Sequence, residues 1–267
     1  MKKVISFSSG KGGVGKTSLV ANLGMLWANQ GKKTLLVDGD WALGKLALTL
    51  GVKPQWAVND VLEGRISLGE AVQGVTEHLS LLASPSGILG FEELSELHRT
   101  QLFYEIDALQ EDYDLVLIDH SSGLHGGVIQ FAAAAHQHVV VTTAEPTSYM
   151  DAYAIMKILS KRFQVRNFQL IITMSQNLSE TQKIIERFID ITQSHLDVKV
   201  KEIGHFLFEP KVAESLRQQK PLVSLYPEIV FSQKLSKVCQ SLENSPIEKG
   251  SGLKFFYSDN LNLTPAR

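Results

Sequence analysis

A chain of 267 residues that is 44% hydrophobic and 20% charged carries enough apolar side chains to bury one sizeable α/β core. Its net charge of −2 sets up no global basic field, so composition gives no footprint of nucleic-acid binding. The single Cys239 excludes a disulfide framework within one chain and counts against a thiolate-held iron–sulfur cluster, and no secretory leader or apolar run of membrane-spanning length is visible.

The first predicted strand, residues 4–7, leads almost at once into Ser9-Gly10-Lys11-Gly12-Gly13-Val14-Gly15-Lys16-Thr17. Gly10, Gly15, Lys16 and Thr17 fit G-x-x-x-x-G-K-[ST], the loop whose backbone N–H groups cradle nucleotide phosphates. The spacing of Leu19, Val20, Leu23, Leu26 and Trp27 predicts a helix over residues 18–29. The loop therefore joins a strand to a helix N-terminus, where unpaired N–H groups and the helix dipole stabilise anions.

A second strand, residues 34–37, runs into Asp38, and residues 114–118 run into Asp119 in the form of a Walker B strand. A hard magnesium ion bound with phosphates takes oxygen ligands, which makes both carboxylates candidates; each alone reads equally well as turn chemistry. Asp40, two residues past Asp38, is placed either to orient a water for attack on a γ-phosphate or to cap the segment after it. Residues 79–83, 139–142, 169–173 and 203–206 read as further strands, and residues 92–110, 150–162, 180–193 and 229–242 as helices. That alternation predicts a doubly wound, mostly parallel sheet with helices on both faces and its ligand site at the carboxyl ends of the strands. His136 and His138 read as strand-boundary residues rather than a metal pair. Thr147 or Ser148 can cap the helix over residues 150–162.

No linker is evident before about Asn244, which divides the chain into a domain over residues 1–244 and a tail over residues 245–267. Leu253, Phe256, Tyr257 and Leu261 give one apolar stripe if residues 252–263 are helical. Lys254 is the only cation within it and Asp259 is repelled by anionic lipid, so a membrane anchor and a tail packed on the domain are equal readings.

Residues 9–17 resemble the deviant Walker A motif of the MinD/ParA ATPases, in which the earlier lysine reaches the nucleotide of a partner subunit. The resemblance implies a MinD-like P-loop fold, ATP and Mg2+ as ligands, an ATP-dependent homodimer, and slow, dimer-dependent hydrolysis. It implies that Gly10, Lys11, Gly12, Gly13, Val14, Gly15, Lys16, Thr17 and Ser18 surround the phosphates. Thr17 and Asp38 would act at or near Mg2+, and Asp119 through a bound water. The implied catalytic set is Lys11, Lys16 and Asp40, with Lys11 acting across the dimer as an arginine finger does. Thr173 stands where many relatives have an adenine-contacting Asn, and Phe208 and Pro210 would form the second wall of that base pocket.

The stretch "VVVTTAEPTSYMDAYAIMKILSKRF", residues 139–163, resembles the segment typical of the flagellar number regulators FlhG and FleN, and "VAESLRQQKPLVSLYPEIVFSQKLSKV" resembles their C-terminal pattern. This implies control of flagellar number or placement. The implied partners are an FlhF-type GTPase, a FleQ-type transcription activator or flagellar switch proteins, with no direct nucleic acid. The implied location is cytoplasmic, with peripheral contact at the inner face of the cell membrane through the tail. Three departures stand out. Many FlhG proteins stimulate FlhF through an N-terminal Gln-containing extension that is not seen before the first strand, so GTPase stimulation is not expected. Trp41-Ala42-Leu43-Gly44-Lys45 replaces the common Leu-Gly-Leu-Ala-Asn, and His120 comes directly after the Walker B strand where small residues are usual. A MinD-like septum-placement ATPase and a ParA-like segregation ATPase share the phosphate residues and remain alternatives. A metabolic P-loop ligase or kinase would need an acceptor-site motif, and none is seen.

Overall fold

The computed structural model describes residues 2–40, 44–84, 96–109, 112–123 and 126–247. Within them, β1 (Lys3–Ser8), β2 (Thr34–Gly39), β3 (Val72–Gly74), β4 (Leu79–Leu82), β5 (Leu115–His120), β6 (Gln137–Thr143), β7 (Asn167–Ser175) and β8 (Lys199–Leu207) form one sheet in the order β3-β4-β2-β5-β1-β6-β7-β8. The connections carry α1 (Lys16–Asn29), α2 (Lys45–Leu50), α3 (Val58–Leu62), α4 (Leu68–Ala71), α5 (Glu96–Ala108), α6 (Gly126–Ala134), α7 (Pro146–Phe163), α8 (Leu178–Leu196), α9 (Pro210–Arg217), α10 (Leu222–Leu225) and α11 (Val230–Asn244). Every strand pair is parallel except β3 with β4.

Strand residues alternate between the two faces, and both faces are covered, which is why these strands read as continuous apolar runs. Ile5, Phe7, Leu36, Leu117, Val139 and Ile171 cluster with Leu23 and Trp27 of α1 and Leu235 and Val238 of α11. Their neighbours Val4, Leu35, Val37, Val116 and Ile118 turn the other way and cluster with Leu102 of α5 and Phe131 of α6. Val140, Leu170 and Ile172 meet Ile155 and Met156 of α7 and Ile185 of α8. The doubly wound, mostly parallel sheet expected from the alternation is the sheet observed.

The chain's last described helix is tied to the middle of this sheet. Lys3 Nζ donates to the carbonyls of Leu242 (3.1 Å) and Glu243 (2.5 Å), and Gln137 Nε2 to those of Leu242 (3.0 Å) and Ser245 (2.9 Å). The terminal carbonyls of α11, which have no partner within the helix, are satisfied there.

Several local expectations change. Helix α7 starts at Pro146 with Glu145 as its N-cap, not at Thr147 or Ser148. Proline lacks an N–H, and in the first turn none is needed. The Ser148 hydroxyl is used elsewhere: it accepts from the Thr143 N–H (3.0 Å) and bonds Thr142 Oγ1 (2.9 Å), clasping the end of β6 to α7. Strand β8 extends to both sides of the expected residues 203–206, and β3 was not expected, since three residues show no periodicity. His136 Nδ1 accepts from the Val4 N–H at 2.9 Å. No helix among the described residues is long and apolar enough to cross a membrane. The tail stripe from Leu253 to Leu261 lies outside the described residues, as do Trp41, Ala42 and Leu43.

Candidate functional site

The loop between β1 and α1 is built on two left-handed glycines, Gly13 (φ +80°) and Gly15 (φ +82°), conformations that side chains rarely adopt. Gly10 is required for a different reason: a Cβ there would lie 2.2 Å from the Cβ of Asp151, because α7 packs directly against the loop. A cavity of about 410 Å3 opens above it, lined by Ser9, Gly12, Gly13, Val14, Gly15, Lys16, Thr17 and Ser18, with Asp40, Lys45, Leu48, Thr49, Ser122, Met174, Val212 and Leu216 opposite. Beside it lies an apolar recess of about 150 Å3 that shares Val14, Gly15, Ser18 and Met174 and adds Thr173, Leu207, Phe208 and Phe231.

The charged groups at the floor are paired inside the chain. Lys16 Nζ donates to Asp119 Oδ1 at 2.5 Å and to the His120 carbonyl, and both partners are buried. Asp119 lies opposite Asp38 across the β2·β5 register. Asp38 accepts from the Asp40 N–H through Oδ1 (3.0 Å) and from the Leu46 N–H through Oδ2 (2.9 Å). Burial, and then the neighbouring Asp119 charge, push its carboxyl up to about 7 against the pull of those two N–H groups. Asp40 Oδ2 pairs with Lys45 Nζ at 2.9 Å. Lys11 is not among the residues that line this cavity and pairs with Glu145. His120 is buried, its Nε2 has no partner, and burial together with the Lys16 charge drives its pKa down to about 3.

The donor set suits a hydrated magnesium ion held with a nucleotide, which takes one or two carboxylates plus phosphate oxygens and waters rather than an all-protein cage. Asp119 Oδ2 is buried with no hydrogen-bond partner, Asp38 lies opposite it across the β2·β5 register, and Thr17 lines the cavity. Among the described residues there is no cluster of three or more His, Cys, Asp or Glu that could bind a metal by itself.

Of the expected residues, Gly12 to Ser18 and Asp40 line one cavity, while Gly10 and Lys11 stand outside it against α7. Thr173 lines the apolar recess, but its hydroxyl is already committed to the Val14 carbonyl at 2.8 Å. Phe208 lines the same recess, whereas Pro210 opens α9 and is not among the lining residues. Sequence reading missed Glu145, Ser122 and Met174. Glu145 had a signal, its place in the quoted segment after β6; Ser122 and Met174 join the site only through tertiary packing.

Residues 2–172 match the family described as AAA domain. The chain is similar to antiactivator FleN of Pseudomonas aeruginosa, with 26% identity over 265 residues, covering 99% of this chain and 95% of that one. It is also similar to the flagellum site-determining protein YlxH of Helicobacter pylori, 28% identical over 262 residues, with 96% and 88% covered. Its fold matches a chain of the MinC:MinD cell division protein complex of Aquifex aeolicus with a TM-score of 0.72 at 27% identity, covering 92% of this chain and 97% of that one.

Proposed function

The chain belongs to the AAA domain family, in its MinD/ParA P-loop ATPase branch, and on that premise we propose that it is an ATP-dependent dimerising switch that controls flagellar number or placement. The observation that carries the reading is the single cavity that joins the glycine loop, Lys16, Thr17 and Asp40, beside the paired strand ends of Asp38 and Asp119. ATP would place its phosphates against Gly12 to Ser18 and its base in the apolar recess between Thr173 and Phe208, with Pro210 fixing the start of the wall-forming α9. Thr17, Asp38 and Asp119 would hold Mg2+, which neutralises phosphate charge when bound. Lys16 would exchange Asp119 for the phosphates. Asp40 would orient the water whose oxygen bonds to the γ-phosphorus as the bridging P–O bond breaks, giving ADP and phosphate. Lys11 would leave Glu145 and stabilise charge on the nucleotide of a partner subunit, which makes hydrolysis slow in the monomer.

The flagellar assignment rests on likeness to FleN and YlxH along nearly the whole chain. On this reading the protein works in the cytoplasm with an FlhF-type GTPase, a FleQ-type activator or flagellar switch proteins, and the domain over residues 1–244 carries a tail that contacts the membrane or packs back. Likeness to MinD over most of the chain favours septum placement as the second reading. Affinity capture from the native cell with ATP and with ADP tests the choice. Flagellar proteins retained only with ATP support the first reading; division proteins support the second, and salt-sensitive DNA would replace both.

A further inference from the structure

We propose that Lys45 is a γ-phosphate-sensing cation: it holds Asp40 while no γ-phosphate is present, and transfers to the γ-phosphate of ATP, releasing the Asp40 carboxylate to the attacking water. The inference rests on the nucleotide-switch reading and adds to it the residue that distinguishes ATP from ADP.

Lys45 Nζ lies 2.9 Å from Asp40 Oδ2, and both residues line the cavity that Lys16 and Thr17 line. The backbone from Gly44 to Leu46 is hydrogen-bonded at each residue. The Leu46 N–H is held by Asp38 Oδ2 at 2.9 Å, the Gly44 N–H by the Asp40 carbonyl at 2.9 Å, and the Lys45 carbonyl accepts from Thr49 Oγ1 at 2.9 Å. The side chain of Lys45 is half exposed. A lysine offers a compact charge with three donors on a flexible stem, so it can change anionic partners without moving its backbone.

The chemistry of the ligand sets the direction of that change. ATP brings a terminal phosphate with more negative charge than one carboxylate carries, into a cavity where Lys16 is already drawn to the inner phosphates. ADP brings no such group, so the Asp40 pair persists. An Asp40 that stays paired is occupied; one that loses its cation regains the acceptor oxygen that orients water. Exchange of one partner would therefore couple recognition of the third phosphate to readiness for hydrolysis.

Calorimetric titration with Mg2+ plus either ADP or a non-hydrolysable ATP analogue tests this on the full chain, as wild type, Lys45→Gln and Lys45→Arg. Lys45→Gln is expected to lose roughly ten- to a hundredfold in affinity for the analogue, the size of a charge-assisted hydrogen bond, with ADP affinity within about twofold of wild type. Lys45→Arg is expected to keep the preference for the analogue within a few-fold. Preserved ADP binding shows that the variants are folded. Equal loss for both nucleotides, or no loss for either, overturns the sensing role and leaves the switch reading standing. A wild-type chain that binds neither nucleotide overturns both.

Discussion

Lys11 and Glu145 form an ion pair within one chain, linking the glycine loop to the residue that caps α7. The side chains are 43% and 62% exposed, and pairs of that kind are worth about 1 kcal/mol at most. Lys11 is therefore restrained but cheaply released, as a group that acts on a second subunit must be. Lys11→Ala is expected to bind ATP with near wild-type affinity and to fail to dimerise. Glu145→Gln is expected to leave ATP binding unchanged and tighten the ATP-bound dimer by up to about thirtyfold, about fivefold for each of the two pairs that a dimer breaks. Calorimetry and light scattering check both, and normal ATP-induced dimers of Lys11→Ala would remove the role in trans.

Lys16 and Asp119 are paired in the opposite setting, both buried. Removing one member of a buried pair costs about 3–5 kcal/mol. Lys16→Ala is expected to abolish ATP binding and also to lower the stability of the nucleotide-free protein by about 3 kcal/mol in urea unfolding. Lys11→Ala should cost under about 1 kcal/mol in the same experiment. Equal effects from the two lysines would contradict the assigned burial.

His120 stays neutral in the folded chain until about pH 3, whereas in the unfolded chain its imidazole takes up a proton below about pH 6.5. Between those values the unfolded state binds more protons, so this group's contribution is full above about pH 6.5 and is lost as pH falls. By pH 5 the loss reaches about 2 kcal/mol. His120→Leu, whose side chain suits surroundings of Val37, Leu102, Ile118 and Phe131, is expected to lack this part of the acid slope. The difference between variant and wild type isolates the imidazole, because carboxyls such as Asp38 titrate in both. Parallel stability curves from pH 7 to pH 5 would show that His120 charges in the folded state.

The parallel sheet was legible because its central strands are buried on both faces and announce themselves as apolar runs, and the glycine loop because its spacing is chemically narrow. The carboxylates at the ends of β2 and β5 were legible as types at strand ends. Their register, Asp38 opposite Asp119, was not, since β5 lies next to β2 only through a connection that spans many residues. Partner choice was the least visible part. Nothing in the local pattern says that Lys11 meets Glu145 or that Lys16 meets Asp119, pairs separated by more than a hundred positions. The Thr173 hydroxyl is a similar case: its position, where many relatives have an adenine-contacting Asn, implied a base contact, and local pattern gave no sign that the hydroxyl donates to the Val14 carbonyl. Short elements such as β3 and α10 carry too few residues to show a period: β3 forms by antiparallel pairing with β4, and α10 by burying Leu222 and Val223.

The central claim, that ATP and not ADP assembles two copies of this chain, is tested most directly by measuring the mass in solution of Asp40→Ala with Mg2+ and each nucleotide. If Asp40 orients the water, this variant binds ATP but turns it over slower by on the order of a hundredfold, and so accumulates in the ATP-bound form. Light scattering should then give the 29.5 kDa monomer with ADP and about twice that mass with ATP. The same mass with both nucleotides, under conditions where calorimetry shows ATP bound, would contradict the account.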